Sequence, residues 1–185
     1  MKIAWSQLVK EVEGTELCHH SEVVIKRLGY DSRLISLWEG LLFVALKSAR
    51  ADGHDFIPEL YARGVRCFVV ERPIEVKAYP EANIFLTPSS RACLQELGRR
   101  AVAHHPIPLI AITGSNAKTL VKEWLATLLS EKFVVAKSPR SFNSQIGVPL
   151  SVWDLSAHHQ IGIFEAGISQ QGEMEHLEKI LQPSI

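Results

Sequence analysis

The second half of the sequence alternates short apolar runs with helical patterns, and this alternation narrows the fold more than any other feature. Leu109 to Thr113, Phe133 to Ala136 and Ile161 to Glu165 are apolar runs of strand length. Between the first two, Leu120 to Ser130 has helical spacing. Leu120, Trp124 and Leu128 form one stripe, with Val121, Leu125 and Leu129 beside it. Met174 to Leu181 is a further helix. Strands alternating with helices imply a parallel sheet with helices on its faces. A further strand is due around Gln182-Pro183-Ser184-Ile185. The sheet is therefore expected to be incomplete, as in the N-terminal fragment of a longer protein.

The first half mixes short strands with helices. Val23 to Ile25, Leu41 to Leu46, Arg66 to Val70 and Asn83 to Leu86 read as strands. Asp55 to Gly64 reads as a helix with Phe56, Leu60 and Tyr61 on one face and Gly64 as its stop. Thr87-Pro88 predicts a helix start, an N-cap residue followed by proline at the first helical position. That helix runs to about Ala103 with Leu94, Leu97 and Ala101 on one face. His104-His105-Pro106-Ile107-Pro108 breaks it and predicts a domain junction. The fold class is α/β: a small mixed α/β domain over 1–105, then an incomplete parallel-sheet domain over 106–185.

Composition restricts the function. Apolar residues make up 46% of the 185, enough to bury a core. Lys plus Arg equals Asp plus Glu at 20 each, so no global basic field points to nucleic acid or an anionic membrane. Any anion site must be local. Cys18, Cys67 and Cys93 are far apart and lack CxxC spacing, which argues against a disulfide framework or zinc site. The start of the chain lacks the apolar core of a signal peptide, and no run is long enough to span a bilayer. A cytoplasmic location is expected.

The segment Ala111-Ile112-Thr113-Gly114-Ser115-Asn116-Ala117-Lys118-Thr119 sits between a strand and a helix, the context of a phosphate loop. Such a loop needs backbone N–H groups converging at a helix N-terminus. It also needs a lysine to reach the outer phosphates and a neighbouring hydroxyl to bind magnesium. Lys118 and Thr119 can fill those roles. Gly114 lies only four positions before Lys118, and Ala117 stands where glycine is usual. On this segment alone, an ordinary strand-to-helix turn remains open.

The longer string Ile112 to Leu125 resembles the phosphate loop of the Mur ligase family, whose form is G-T/S-N-G-K-T-T with the short spacing. Ser138-Pro139-Arg140-Ser141-Phe142-Asn143-Ser144-Gln145-Ile146-Gly147 resembles the substrate loop of its MurF branch. Ile163-Phe164-Glu165-Ala166-Gly167, followed by Gly172-Glu173-Met174, resembles the strand with that family's magnesium-binding glutamate. Asp31-Ser32-Arg33, Leu42 to Leu46, Asp52-Gly53-His54, Gly64-Val65-Arg66 and Phe68 to Glu71 follow the family's N-terminal domain in order. The resemblance runs from about Asp31 to the end, and is strongest to versions fused to an alanine racemase.

The resemblance implies an ATP-dependent ligase of peptidoglycan-precursor synthesis. Such an enzyme adds D-alanyl-D-alanine to UDP-N-acetylmuramoyl-tripeptide through an acyl phosphate. It implies ATP and Mg2+ as cofactors, residues 1–105 as the UDP-substrate domain and 106–185 as the first part of the ATP-binding domain. Gly114, Ser115, Asn116, Ala117, Lys118 and Thr119 would bind the nucleotide. Lys118 and Glu165 would be catalytic, Thr119 and Glu165 would hold the metal, and Ser32, Arg33, Asn143 and Ser144 would bind substrate. The family's remaining ATP-binding segments, its C-terminal ligase domain and a fused racemase would be the missing partners. These residues alone are expected to be inactive. Ala117 and Leu120 depart from the family pattern. A second reading is therefore a degenerate, non-catalytic module that binds a UDP-muramoyl precursor or a partner protein. A third, an unrelated phosphate-loop kinase or NTPase, would leave the first-half motifs without a role.

The remaining candidates have plainer readings. The histidine pairs at 19–20, 104–105 and 158–159 are expected at surfaces and junctions, since adjacent residues point different ways. Asp31 could cap a turn and His54 could order one. Glu173 and Glu175 suit a helix start. Trp5, Trp38, Trp124 and Trp153 are expected in or near the core.

Overall fold

The computed structural model describes residues 1–49 and 51–185. It divides into two compact units, residues 2–93 and residues 94–185 with Met1.

In the first unit, β1 (Ile3–Ala4) pairs antiparallel with β3 (Val24–Ile25), and α1 (Trp5–Glu11) lies between them in sequence. The main sheet has five strands in the order β2 (Thr15–Cys18), β7 (Asn83–Leu86), β6 (Cys67–Val70), β5 (Leu41–Val44), β4 (Arg27–Gly29). β2 runs antiparallel to β7, and the other neighbours are parallel. β5 and β6 are buried at every position, as strands covered on both faces must be. One face packs Phe43, Phe68, Val70 and Ile84 against Ile57 and Leu60 of α2 (Ile57–Ala62).

Two first-half expectations change. The segment expected as one helix from Asp55 is a 3-10 turn, Gly53–Phe56, followed by α2. Phe56 is exposed, while Ile57 and Leu60 are buried. The 3-10 turn shifts the phase of the helical face by one residue. The next helix, α3 (Ser90–His104), starts two residues beyond Pro88. Ser89 acts as its cap, its Oγ accepting from Ala92 N–H at 3.2 Å. Glu71 Oε2 accepts from Ser90 N–H at 3.0 Å, adding a negative charge at the positive end of the helix. Leu94, Leu97 and Ala101 are all fully buried.

The division between units falls inside α3, after Cys93, earlier than the His104 to Pro108 break. The latter part of α3 is bound into the second unit. Val102 joins the core of Leu109, Val148 and Phe164, and Gln95 donates to Gln145 Oε1 at 2.7 Å.

The second unit is a three-stranded parallel sheet in the order β8 (Leu109–Ile112), β10 (Ile161–Glu165), β9 (Val135–Lys137). Helices α4 (Lys118–Leu129), α5 (Gly147–Trp153) and α6 (Glu173–Leu181) accompany it. The α/β class and the parallel second sheet are as the alternation implied. At the free edge of β8, Ser184 N–H donates to Leu109 O at 2.8 Å and Ala111 N–H to Ile185 O at 2.9 Å. The last residues thus follow β8 as the expected next strand would.

Helix α4 is rotated from its expected orientation, with Leu125 and Leu129 of the expected face half-buried. Leu120, Val121, Trp124 and Leu128 are 50%, 44%, 63% and 67% exposed, and the buried residues are Lys122 and Ala126. Helical periodicity identifies a stripe but not which stripe meets the sheet. Here the small Ala126 permits close approach, and Lys122 is drawn inward by oxygen partners. Trp124 is therefore not a core residue, whereas Trp5 and Trp153 are buried.

Candidate functional site

The sequence between β8 and α4 forms an exposed loop over residues 113–117. Gly114 has φ +135, a value that L side chains rarely adopt. Ala117 ends the loop in the left-handed region, at φ 61 and ψ 6, as the residue before the first turn of α4. A left-handed alanine carries a steric cost of about 1 kcal/mol. The glycine preference at this position thus has a direct backbone cause. The alanine adopts the same conformation.

Lys118 and Thr119 open the helix. Lys118 Nζ donates to Gly114 O at 2.6 Å, so the lysine curls over its own loop. Thr119 Oγ1 donates to Glu165 Oε2 at 3.1 Å. Glu165 ends β10 beside Ile112 of β8, and its side chain is fully buried. A buried carboxylate requires compensation. Lys122 Nζ stands 3.0 Å from Glu165 Oε1. Among the described residues, Glu165 Oε1 has this ion pair and no hydrogen bond. Glu165 N–H is held by Ser138 Oγ at 3.0 Å.

The substrate-type loop follows β9. Asn143 lies against the end of β10: Gly167 N–H donates to Asn143 O at 2.8 Å. A Cβ on Gly167 would stand 2.8 Å from Asn143 Cγ, so a larger residue there would displace the Asn143 side chain. Ser144 Oγ accepts from Gly147 N–H at 3.1 Å, which commits its hydroxyl to the start of α5. Gln145 is buried and donates to Glu173 O at 2.8 Å, linking this loop to the start of α6. Lys118, Thr119 and Glu165 converge at the C-terminal ends of β8 and β10, and the Asn143 segment lies against the end of β10. Crevices at the C-terminal ends of parallel strands are where ligands bind in open α/β sheets.

The loop and the two metal-type residues fit magnesium and a polyphosphate. Two oxygen ligands at adjacent corners of an octahedral magnesium, each at about 2.1 Å, stand about 3 Å apart. Thr119 Oγ1 and Glu165 Oε2 are hard oxygen donors 3.1 Å apart, joined here by a hydrogen bond that a metal would replace. The buried Glu165 Oε1, without a hydrogen bond, is a further acceptor. The loop 113–117 offers exposed backbone at a helix N-terminus beside a lysine.

Ser32 and Arg33 belong to the first unit. They lie in a 3-10 turn whose first N–H groups are capped by Asp31, whose Oδ1 accepts from Arg33 N–H at 3.0 Å. Ser32 is buried, and the Arg33 guanidinium is exposed. Arg33 forks onto Asp31 at 2.9 and 2.7 Å and holds that carboxyl below the usual range. Asp52-Gly53-His54 is a clasp in the same unit. Asp52 Oδ1 accepts from His54 N–H at 2.9 Å and lies 2.5 Å from His54 Nδ1. His54 Nε2 accepts from Glu71 N–H at 3.0 Å, which puts the ring proton on Nδ1. A Cβ on Gly53 would stand 2.7 Å from Leu46 N, so the glycine is a close-approach requirement.

Lys122, Ser138 and Gln145 lie among these residues, and the pattern alone did not single them out. Lys122 lay hidden as a polar residue in an apolar helix. A lysine four residues after a phosphate-loop lysine, inside such a pattern, was the available signal.

Two family profiles match the chain. The Mur ligase family, catalytic domain, matches residues 24–132, and the Mur ligase middle domain matches residues 112–185. A UDP-N-acetylmuramoyl-tripeptide–D-alanyl-D-alanine ligase of Treponema pallidum is 31% identical over 99% of this chain and 41% of that protein. One of the same name from Borreliella burgdorferi is 36% identical over 95% of this chain and 40% of that protein. Among solved structures, MurF from Acinetobacter baumannii superposes with a TM-score of 0.85 at 32% identity. It covers 96% of this chain and 38% of that one. MurF from Thermotoga maritima in complex with ADP superposes at 0.74 with 33% identity, covering 86% of this chain and 36% of that one. The chain thus spans about two fifths of the length of these relatives. With a family profile over more than half of its residues and the phosphate loop, buried glutamate and substrate-type loop in the family order, the chain belongs to the Mur ligase family.

Proposed function

We propose that the chain is the N-terminal part of an ATP-dependent ligase that adds D-alanyl-D-alanine to UDP-N-acetylmuramoyl-tripeptide. The carrying observation is the Thr119–Glu165 oxygen pair at 3.1 Å directly below an exposed loop with Lys118 at its end. The names of the relatives support the choice of substrates. Magnesium-ATP, when bound, supplies the phosphoryl group that activates the substrate carboxylate. Thr119 and Glu165 would hold the metal through oxygen, the ligand type that hard cation prefers. Lys118 would leave Gly114 O and turn to the β- and γ-phosphates. The N–H groups of residues 114–119 would face the phosphate oxygens.

Residues 1–105 would hold the uridine diphosphate, with Arg33 exchanging Asp31 for phosphate oxygens and Ser32 supporting the turn. Residues 106–185 would contribute to the ATP site, with Asn143 and Ser144 near the muramoyl-peptide end. Both nucleophiles, a carboxylate and an amine, come from the substrates. The protein's task is positioning and charge neutralisation. The reaction needs the remaining ATP-binding segments and a C-terminal ligase domain of the family. An alanine racemase is a candidate fused neighbour, and the cytoplasm is the expected site of such chemistry.

A second reading is favoured by one observation, the left-handed Ala117. A loop strained there in the free chain could be a degenerate module that holds the UDP-precursor without ATP chemistry. Calorimetric titration with magnesium-ATP separates the two readings. Binding by the parent and its loss in Lys118→Met supports the ATP half-site. Binding only by Ala117→Gly supports the degenerate module. Separately, a chain extended by the family's missing segments is expected to release phosphate only with both substrates present. Absence of ATP-dependent ligation there would sink the ligase reading.

A further inference from the structure

Lys122 is a buried cation at the junction of the two loops. Its side chain is fully enclosed and 3.0 Å from Glu165 Oε1. Nζ donates to Ser138 O at 2.9 Å and to Arg140 O, and lies 3.3 Å from Glu123 Oε1. Arg140 has φ 51, a left-handed conformation that costs a non-glycine residue energy. A charge-assisted bond to its carbonyl offsets that cost. The same turn is fastened to β10, since Ser138 Oγ accepts from Glu165 N–H and Asn143 O accepts from Gly167 N–H.

We propose that Lys122 is a positioning residue whose single ammonium fixes both the Glu165 carboxylate and the 138–140 turn that presents Asn143 and Ser144. The inference rests on the ligase reading above, in which those groups face metal and substrate. Its physical content is a coupling. A charge on α4 sets the geometry of the end of β10 and of the 138–140 turn, which the sequence separates by more than twenty residues. Lys118, one helical turn earlier, faces the phosphate loop, whereas Lys122 faces the carbonyls beneath it.

The test is amide hydrogen exchange on the 185-residue chain without nucleotide. The variants are Lys122→Met, Lys122→Arg and the double variant Lys122→Met with Glu165→Gln. Phe142 N–H, bonded to Pro139 O, and Gly167 N–H, bonded to Asn143 O, report on the turn. Ser130 N–H and Gln182 N–H, at the ends of α4 and α6, are controls in the same unit. In Lys122→Met the two reporters are expected to exchange about tenfold faster with the controls unchanged. Lys122→Arg is expected to restore protection to within about threefold.

Lys122→Met leaves a buried carboxylate unpaired and can fail to fold. The double variant leaves no such charge, and carries the same expected result. Reporters as protected as in the parent, uniform acceleration across the unit, or no rescue by arginine would each overturn the proposal. So would a double variant that does not fold, which would make Lys122 purely structural. Failure of ATP binding leaves this measurement intact, and a negative result here leaves the ligase reading standing.

Discussion

Ala117 is the residue where local backbone chemistry and function meet. Its φ of 61 places Cβ in conflict with the following carbonyl, a cost that glycine does not bear. Ala117→Gly is expected to raise unfolding stability by no more than about 0.5 kcal/mol, because much of the relief of about 1 kcal/mol is offset by unfolded-chain entropy. A denaturant melt checks it, and a fall in stability would mean that Ala117 is not strained. Lys118→Met is expected to change stability by less than about 0.5 kcal/mol, because the hydrogen bond it removes is to an exposed loop carbonyl. That isolates its effect on nucleotide binding. Lys118, Thr119 and the left-handed position were legible in sequence because a phosphate loop is local, built from consecutive residues between a strand and a helix. Lys122 was not, because its partners Glu165, Ser138 and Arg140 come from two other elements.

At the scale of elements, α4 is the instructive case. Trp124 and Leu128 are 63% and 67% exposed, so a Trp124→Glu, Leu128→Lys double variant is expected to cost less than about 1 kcal/mol. Burial in the core would make that cost several times larger, since truncating a single core tryptophan costs about 3–5 kcal/mol. One thermal melt decides. Helix α3 makes the complementary point. Thr87-Pro88 resembles a helix start, but the helix begins two residues later, and Ser89 accepts the N–H of Ala92. Ser89→Ala is therefore expected to cost about 1 kcal/mol, and Thr87→Ala less. Capping signals near a helix start are read from sequence to within a few residues. The geometry of Glu71, brought from the end of β6 to Ser90 N–H, selects among them.

Across the whole molecule, stability is expected to fall in acid. Asp31 is held low by Arg33, and Glu96 by Arg99 and then Arg100. Burial pushes Asp52 up, but the N–H and ring of His54 and the charge of Arg72 outweigh it, so its carboxyl also sits low. Native carboxyls below their unfolded values contribute stability that is full above about pH 4. It is lost as pH falls through the lower native values. The denaturant midpoint should accordingly drop as the pH falls below about 4, and Asp52→Asn should flatten part of that slope. An unchanged slope in that variant would remove Asp52 from the account.

The sequence by itself determined the α/β class, the parallel second sheet and the order of the loop, glutamate and substrate-type motifs. Period, turn chemistry and motif spacing are properties of neighbouring residues. Tertiary structure alone decided which stripe of α4 meets the sheet, where the compact units divide and which groups compensate Glu165. Those outcomes depend on the competition among buried partners. A carboxylate at the end of β10 needs a cation and a hydroxyl, and only the fold brings Lys122 and Thr119 within 3.0 and 3.1 Å of it. That demand turned a lysine inward and left a tryptophan outside, the opposite of what hydrophobicity along the chain implies.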